Sequence, residues 1–134
     1  MKVFLDADVL FSASYSMNGA SHEVVNHSSV ILYTSNECMN EAIRALKKYD
    51  KSLDPIFFEK IKIVNVTKKD ALEYDIYVFD LSDAHVVAGA VKSKANILTS
   101  FNIKDFKSDL IYKDLGVSIL KPGEMLSYQR NILV

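Results

Sequence analysis

The 134-residue chain is short of most residue types that announce a specialised architecture. A single cysteine, Cys38, excludes an intramolecular disulfide, and three scattered histidines, His22, His27 and His85, lack the spacing of a zinc site. Both shortages fit a reducing, cytoplasmic setting and turn any metal chemistry toward oxygen ligands. Two prolines and four glycines leave no Pro-rich linker, low-complexity tract or internal repeat. Nowhere do 18 apolar residues run together, and the opening MKVFLDAD becomes acidic after a few apolar residues, so neither a membrane span nor a secretory signal is expected. Charge of one sign is missing too. With 16 Lys and Arg against 17 Asp and Glu, no overall basic field attracts nucleic acid, and a polyanion would need a local positive site or bound cations.

What is present is an alternation of strand and helix patterns. Val3-Phe4-Leu5 is a continuously apolar run closed by Asp6, which suits a strand buried on both faces. Val9, Leu10, Ala13 and Met17 then repeat at helical spacing up to a turn at 17–19, where Gly19 is expected to stop the helix, and Ser21 to cap a second one through His27. A strand follows at 30–33, then a helix capped by Ser35 or Asn36 with Met39, Ala42, Ile43 and Leu46 on its apolar face. Pro55 opens a short helical segment through Lys60, IKIVNV at 61–66 is a third strand, and Thr67 caps a helix to about Tyr74. Residues 76–79 read equally as helix or extended connection. Asp80 or Ser82 starts a central helix to about Lys94, followed by a strand at 96–99, a helix at 103–113 stopped by Gly116, a strand at 117–120 and a last helix after Pro122. Such alternation predicts an α/β fold, a parallel sheet of about five strands with helices on both faces. Strand C-terminal ends and the helix starts that follow them share one rim, where ligands bind, and Asp6, Asp83 and the Asn102 loop should lie on it.

Each acid on that rim has two readings. Asp6 either caps the first helix or ligates a cation; Asp80 and Asp83 suit a helix start; Asn102 and Asp105 are ordinary turn residues. By periodicity Glu41 points away from the apolar face of its helix, as a solvated partner of Arg44, unless that side faces the rim. Taken together, three or four carboxylate or amide oxygens without His or Cys are hard donors suited to Mg2+ or Mn2+. Such an ion relieves their mutual repulsion and promotes water attack on a phosphodiester. His85 falls on a different helix face from Asp83, Cys38 belongs to the core, and Tyr74 and Tyr77 read as packing residues. Lys47, Lys48, Lys51, Lys68 and Lys69 form either a basic margin or solvated helix ends.

Four blocks in this order resemble the PIN domain family: VFLDADVLFSA, SNECMNEAIRAL, DLSDAHVVAGAVKSKANILTSFNIKDF and ILKPGEMLSY. The resemblance spans nearly the whole chain and implies a single domain over 1–134 with a three-layer α/β/α fold. It places Asp6, Glu41 and Asp83 as metal-binding acids, selecting Glu41 over Glu37, and puts Asn102 at the fourth acidic position. Asp8 stands where the family often has Asn, and Asp80, Thr99 and Asp105 are supporting residues. The implied activity is that of an Mg2+- or Mn2+-dependent endoribonuclease, the toxin of a toxin-antitoxin pair, with RNA as substrate, a cognate antitoxin as partner, and a homodimer as a frequent assembly. Asn102 supplies no charge, so the alternative is a weak or inactive PIN-like module that binds RNA or a protein. LDADVL also resembles the Asp-x-Asp opening of haloacid-dehalogenase phosphatases, with Thr34 where a phosphate ligand would sit, but Leu10 replaces their Thr and Glu41 and Asp83 are left without roles. A phosphorelay receiver is disfavoured because Val66-Thr67 stands where its acceptor Asp would be.

Overall fold

The computed structural model describes residues 1–27 and 29–132. Strand β1 (Lys2–Leu5) has Val3, Phe4 and Leu5 fully buried, as a run without alternation requires when both faces are covered. Around it lie β2 (Ile31–Ser35), β3 (Ile61–Val64), β4 (Ile97–Thr99) and β5 (Ser118–Leu120), paired in parallel in the order β3-β2-β1-β4-β5. The chain builds outward from β1 in one direction and then in the other, so the order reverses beside β1, the place where open parallel sheets bind ligands.

The connections supply the outer layers. Helices α1 (Ala7–Tyr15) and α2 (Ala20–Asn26) link β1 to β2, while α3 (Asn36–Lys47) and α4 (Ile56–Lys60) link β2 to β3. On the return, α5 (Lys68–Leu72) and α6 (Ala84–Lys92) precede β4, α7 (Ser108–Leu115) precedes β5, and α8 (Pro122–Ile132) closes the described chain. Helix α1 packs on α2 and α3, and α8 on α2, whereas α5 packs on α6, giving the three-layer α/β/α arrangement. No helix of the described residues is long and apolar enough to cross a membrane.

Local chemistry explains where elements depart from the sequence pattern. Helix α1 stops at Tyr15 because Ser16 turns extended, and Gly19 (φ −89°) is the N-cap of α2 rather than a left-handed stop. Ser21 lies inside α2, buried with its hydroxyl unpartnered among the described residues, so it is not the cap. Strand β3 ends at Val64, level with Ser35 where β2 gives way to α3, and the Asn36 side chain then takes both backbone groups of Val66. A single 3-10 turn (Ile103–Asp105) and an isolated bridge between Phe106 and Val78 occupy what reads as one helix from 103, so α7 begins at Ser108. That bridge also resolves residues 76–79: a 3-10 turn through Tyr77 gives way to an extended link. Gly116 does end α7, at φ 70°.

At the centre α6 crosses β1 with Gly89 against the ring of Phe4. A Cβ on Gly89 would lie 2.5 Å from Phe4 Cζ. Gly89→Ala gains about 1 kcal/mol of helix propensity but overpacks a buried ring at a cost of roughly 1–3 kcal/mol. The urea midpoint should therefore fall, and Phe4→Leu in the same chain should recover part of the loss; a midpoint raised by Gly89→Ala alone would contradict this packing.

Candidate active site

Where β1 ends, Asp6 turns the chain into α1. Its backbone N–H donates to Thr99 O (3.0 Å) at the end of β4, and its carbonyl accepts from Val9 and Leu10, so Asp6 occupies the N-cap of α1. The carboxylate is buried: Oδ1 accepts from the Ala7 N–H (2.7 Å) and Oδ2 from the Ser100 hydroxyl (2.8 Å). Burial, the neighbouring charge of Asp8 and that of Glu41 raise its pKa, the Ser100 and Ala7 hydrogen bonds oppose them, and the balance is pushed up to about 7 from the ordinary 3.8.

Asp8, on the first turn of α1, faces the loop that leaves β4. Its Oδ2 accepts from the backbone N–H of Phe101 (3.0 Å) and from Asn102 Nδ2 (3.1 Å), with the Ser100 hydroxyl at 3.3 Å. Burial raises its pKa and these donors hold it back. Its second oxygen, Oδ1, is buried without a partner among the described residues. The Asn102 amide is therefore turned toward Asp8, and Asn102 N–H donates to Ser100 Oγ (3.1 Å), which ties the 100–102 loop to both aspartates.

Glu41 does face the rim. It lines a cavity with Asp8 between α1 and α3, and its Oε1 meets His85 Nε2 at 2.8 Å. Burial alone would lower the His85 pKa, but the hydrogen bond and charge of Glu41, joined by the charges of Asp6 and Glu37, raise it above 6.5. Asp83 ends a 3-10 turn (Leu81–Asp83) and is the residue before α6. Its pKa is raised by burial and by the charges of Asp105, Asp80 and Glu41, against a lowering by His85. Asp80 caps that turn, accepting from the Ser82 N–H and hydroxyl (both 2.9 Å), which lowers its pKa. Asp105 lines a separate cavity with Asn102, Lys104 and Lys121.

Among the described residues no group of three His, Cys, Asp or Glu side chains is gathered tightly enough to hold a metal as it stands. The donors nevertheless fit a hard divalent cation. They are carboxylates, the pKa values of Asp6 and Asp83 are raised first by burial and then by neighbouring acidic charge, and among the described residues none of Asp6, Asp8, Glu41 and Asp83 is paired with Lys or Arg and Asp8 Oδ1 is a buried acceptor lacking a donor. Thr99 contributes its backbone carbonyl to Asp6, while its own hydroxyl is buried without a partner among the described residues. Thr34 is fully buried, its hydroxyl donating to Leu5 O (2.8 Å), so it is not placed to meet a phosphate.

Two residues at the rim escape sequence reasoning. Ser100, which bridges both aspartates, looks like a plain turn residue after a strand. His85, read from the sequence only as a histidine on a different helix face from Asp83, is half-buried and meets Glu41, a contact between helices that are distant in the chain.

The pKa shifts carry a sign for stability. A raised histidine pKa stabilises below 6.5, and that contribution is lost as pH rises through the raised value. A raised carboxylate pKa costs stability progressively as pH rises from 3.8 toward about 7. In chelator, urea stability should fall as pH climbs through neutrality. Asp6→Asn should be more stable than the parent at about pH 8, on the order of 1–4 kcal/mol, with the gain vanishing near pH 4. A parent protein more stable than Asp6→Asn at that alkaline pH would contradict the burial of an uncompensated charge.

No family model matches the sequence. No curated protein matches it either. The structure, by contrast, is similar to solved toxin-antitoxin assemblies. A chain of a toxin-antitoxin complex from Klebsiella pneumoniae superposes with a TM-score of 0.64 at 19% identity, over 90% of this chain and 97% of that one. VapBC2 from Rickettsia felis, solved with a DNA fragment from its promoter, gives 0.61 at 14% identity, over 90% and 98%. FitAB bound to the IR36 DNA fragment gives 0.57 at 14% identity, over 90% and 94%. At these identities the likeness is one of fold, and the chain has the PIN-like α/β/α fold that its sequence blocks resemble.

Proposed function

We propose that this rim binds Mg2+ or Mn2+ and hydrolyses phosphodiester bonds of RNA, with the chain as the toxin of a toxin-antitoxin pair. The observation that carries the reading is the accumulation of mutually repelling carboxylates, unpaired with Lys or Arg, beside the strand where the sheet order reverses. Asp6, Glu41 and Asp83 hold the ion directly or through water. When bound, the ion supplies a water of lowered pKa and offsets charge building on the phosphate. Ser100 fixes the Asp6 carboxylate, His85 orients Glu41, and Asp80 supports the turn that carries Asp83.

Asn102 contributes no charge at the fourth position, and the charge at that place comes from Asp8, whose carboxylate its amide holds at 3.1 Å. The pair acts as one unit, a carboxylate and a neutral donor with their chain positions exchanged, and Asp105 adds a further negative charge beside Asp83. This geometry favours an active site over the weak or inactive alternative.

For partners, the supporting observation is a run of exposed apolar side chains, Leu72, Ile76, Phe79 and Leu81, more than a solvated connection needs. We assign it to protein contact with an antitoxin or a second copy of this chain, in keeping with the toxin-antitoxin complexes that share the fold. The 1–134 span then works as one domain.

Asp83→Asn should abolish manganese-dependent cleavage of RNA with the circular dichroism spectrum unchanged; equal activity would remove Asp83 from the site. Independently, Asp8→Asn should weaken manganese binding in calorimetry by roughly 10–100-fold. Asp8→Asn combined with Asn102→Asp should recover most of it, and a double variant as weak as Asp8→Asn would show that the two side chains do not act as a unit.

A further inference from the structure

The cavity that contains Asp8 and Glu41 extends away from the rim between two helices that start side by side. On α1, Asp8, Phe11 and Tyr15 lie at i, i+3 and i+7, and on α3 and its cap, Glu41, Ala45 and Lys48 lie at i, i+4 and i+7. Each series is one stripe about 10 Å long, acidic at the rim and aromatic or basic at the far end. The space between them is about 390 Å3, within the range of small-ligand sites, and small side chains at Ala42 and Ala45 form part of its wall.

Phe11 and Tyr49 line this groove, and Tyr15 packs against both rings. Phe11 stacks on Tyr15 (5.4 Å between centroids, 21° between planes), and Tyr49 meets them at 5.8 and 5.4 Å. Lys51 Nζ lies 5.2 Å from the Tyr15 centroid, so positive charge is held at the end opposite the acids. If these rings served packing alone they would be covered, yet Tyr15 is 46% and Tyr49 57% exposed. An apolar protein segment would gain little from a slot walled by Glu41, Asp8 and Lys48. A nucleotide matches it, with a flat face for the rings and an anion for the lysines.

We propose that this groove is a nucleobase subsite, in which an unpaired base of single-stranded RNA stacks on the exposed Tyr49 ring with its edge toward Phe11, whose plane is tilted 55° from that of Tyr49, while its phosphate meets Lys48 and Lys51. The inference rests on the nuclease reading for its substrate, and it narrows that substrate to unpaired RNA, because a base inside a duplex has both faces already stacked. The base so held is the neighbour of the phosphodiester lying over Asp8 and Glu41.

The chain contains no tryptophan, so Tyr49→Trp installs a single indole that keeps the stacking surface and reports on it. The probes are oligo(A) and the same oligo(A) annealed to oligo(U), with calcium in place of manganese so that the RNA stays intact. Indole emission should be quenched saturably by the single strand, and the duplex should bind roughly tenfold more weakly. Tyr49→Ala should lose about tenfold in affinity for oligo(A), and Lys48→Ala should lower the salt dependence by about one counterion. Equal quenching by both forms, or unchanged emission with unchanged affinity of Tyr49→Ala, would overturn the subsite. So would an indole response confined to an amphipathic helical peptide. Quenching in a protein that leaves RNA uncut with manganese would keep the subsite and remove the nuclease; cutting without quenching would do the reverse.

Discussion

A carboxylate buried at the meeting point of two parallel strands and a helix is the constraint on which the rest of the structure depends. Asp6 ends β1, receives its place from Thr99 O on β4, and starts α1, so three elements are oriented by one residue whose charged form is disfavoured there. A buried charge without a cationic partner is expensive, and folded proteins neutralise, pair or ligate it. Here the hydrogen bonds from Ser100 and Ala7 recover only part of the cost, and Asp8 and Glu41 add to it. A group kept in such surroundings stores a preference for a cation. The binding chemistry proposed for the rim is the release of that preference.

The same constraint organises the surrounding residues. Ser100 can serve Asp6 and Asp8 together only because β4 ends level with β1, a consequence of their parallel register from Val3 with Ile97 to Leu5 with Thr99. Asn102 reaches Asp8 because the loop after β4 turns at once, with the Phe101 N–H donating to Asp8 and the Asn102 N–H to Ser100 Oγ. Glu41 and His85 come from helices separated by more than forty positions in the chain, joined by a single 2.8 Å contact. Each helix also has work away from the rim: α6 carries Gly89 against Phe4, and α3 buries Leu46 and Cys38 in the core. The scaffold and the rim are thus coupled through the same few elements.

Much of this was legible in the residue order, for physical reasons that differ from place to place. An apolar run closed by an acid, as in Val3-Phe4-Leu5-Asp6, has few solutions other than a buried parallel strand with its acid at the exit. Thr67 with Asp70 forms a reciprocal capping box, which announces α5 by local hydrogen bonding alone. What stayed hidden depends on contacts between distant segments. The pairing of Val78 with Phe106, which shortens the helix expected from 103, involves residues far apart in sequence and leaves no periodic trace. Helical counting alone makes Glu41 a solvated partner of Arg44, and its place at the rim is made by where α6 brings His85. Asp8 read as a substitution at a familiar position, and its bond to Asn102 needed the sheet to bring residues 94 positions apart together.

The central claim is that the Asp6 rim is built for a divalent cation, and a crystal of the intact chain soaked in manganese tests it most directly. Anomalous difference density between the Asp6 and Asp83 carboxylates, with Glu41 bound to the ion or to one of its waters, is the predicted result. Undisturbed Asp6 bonds to Ser100 and Ala7, with no anomalous density at the rim at millimolar manganese, would contradict it.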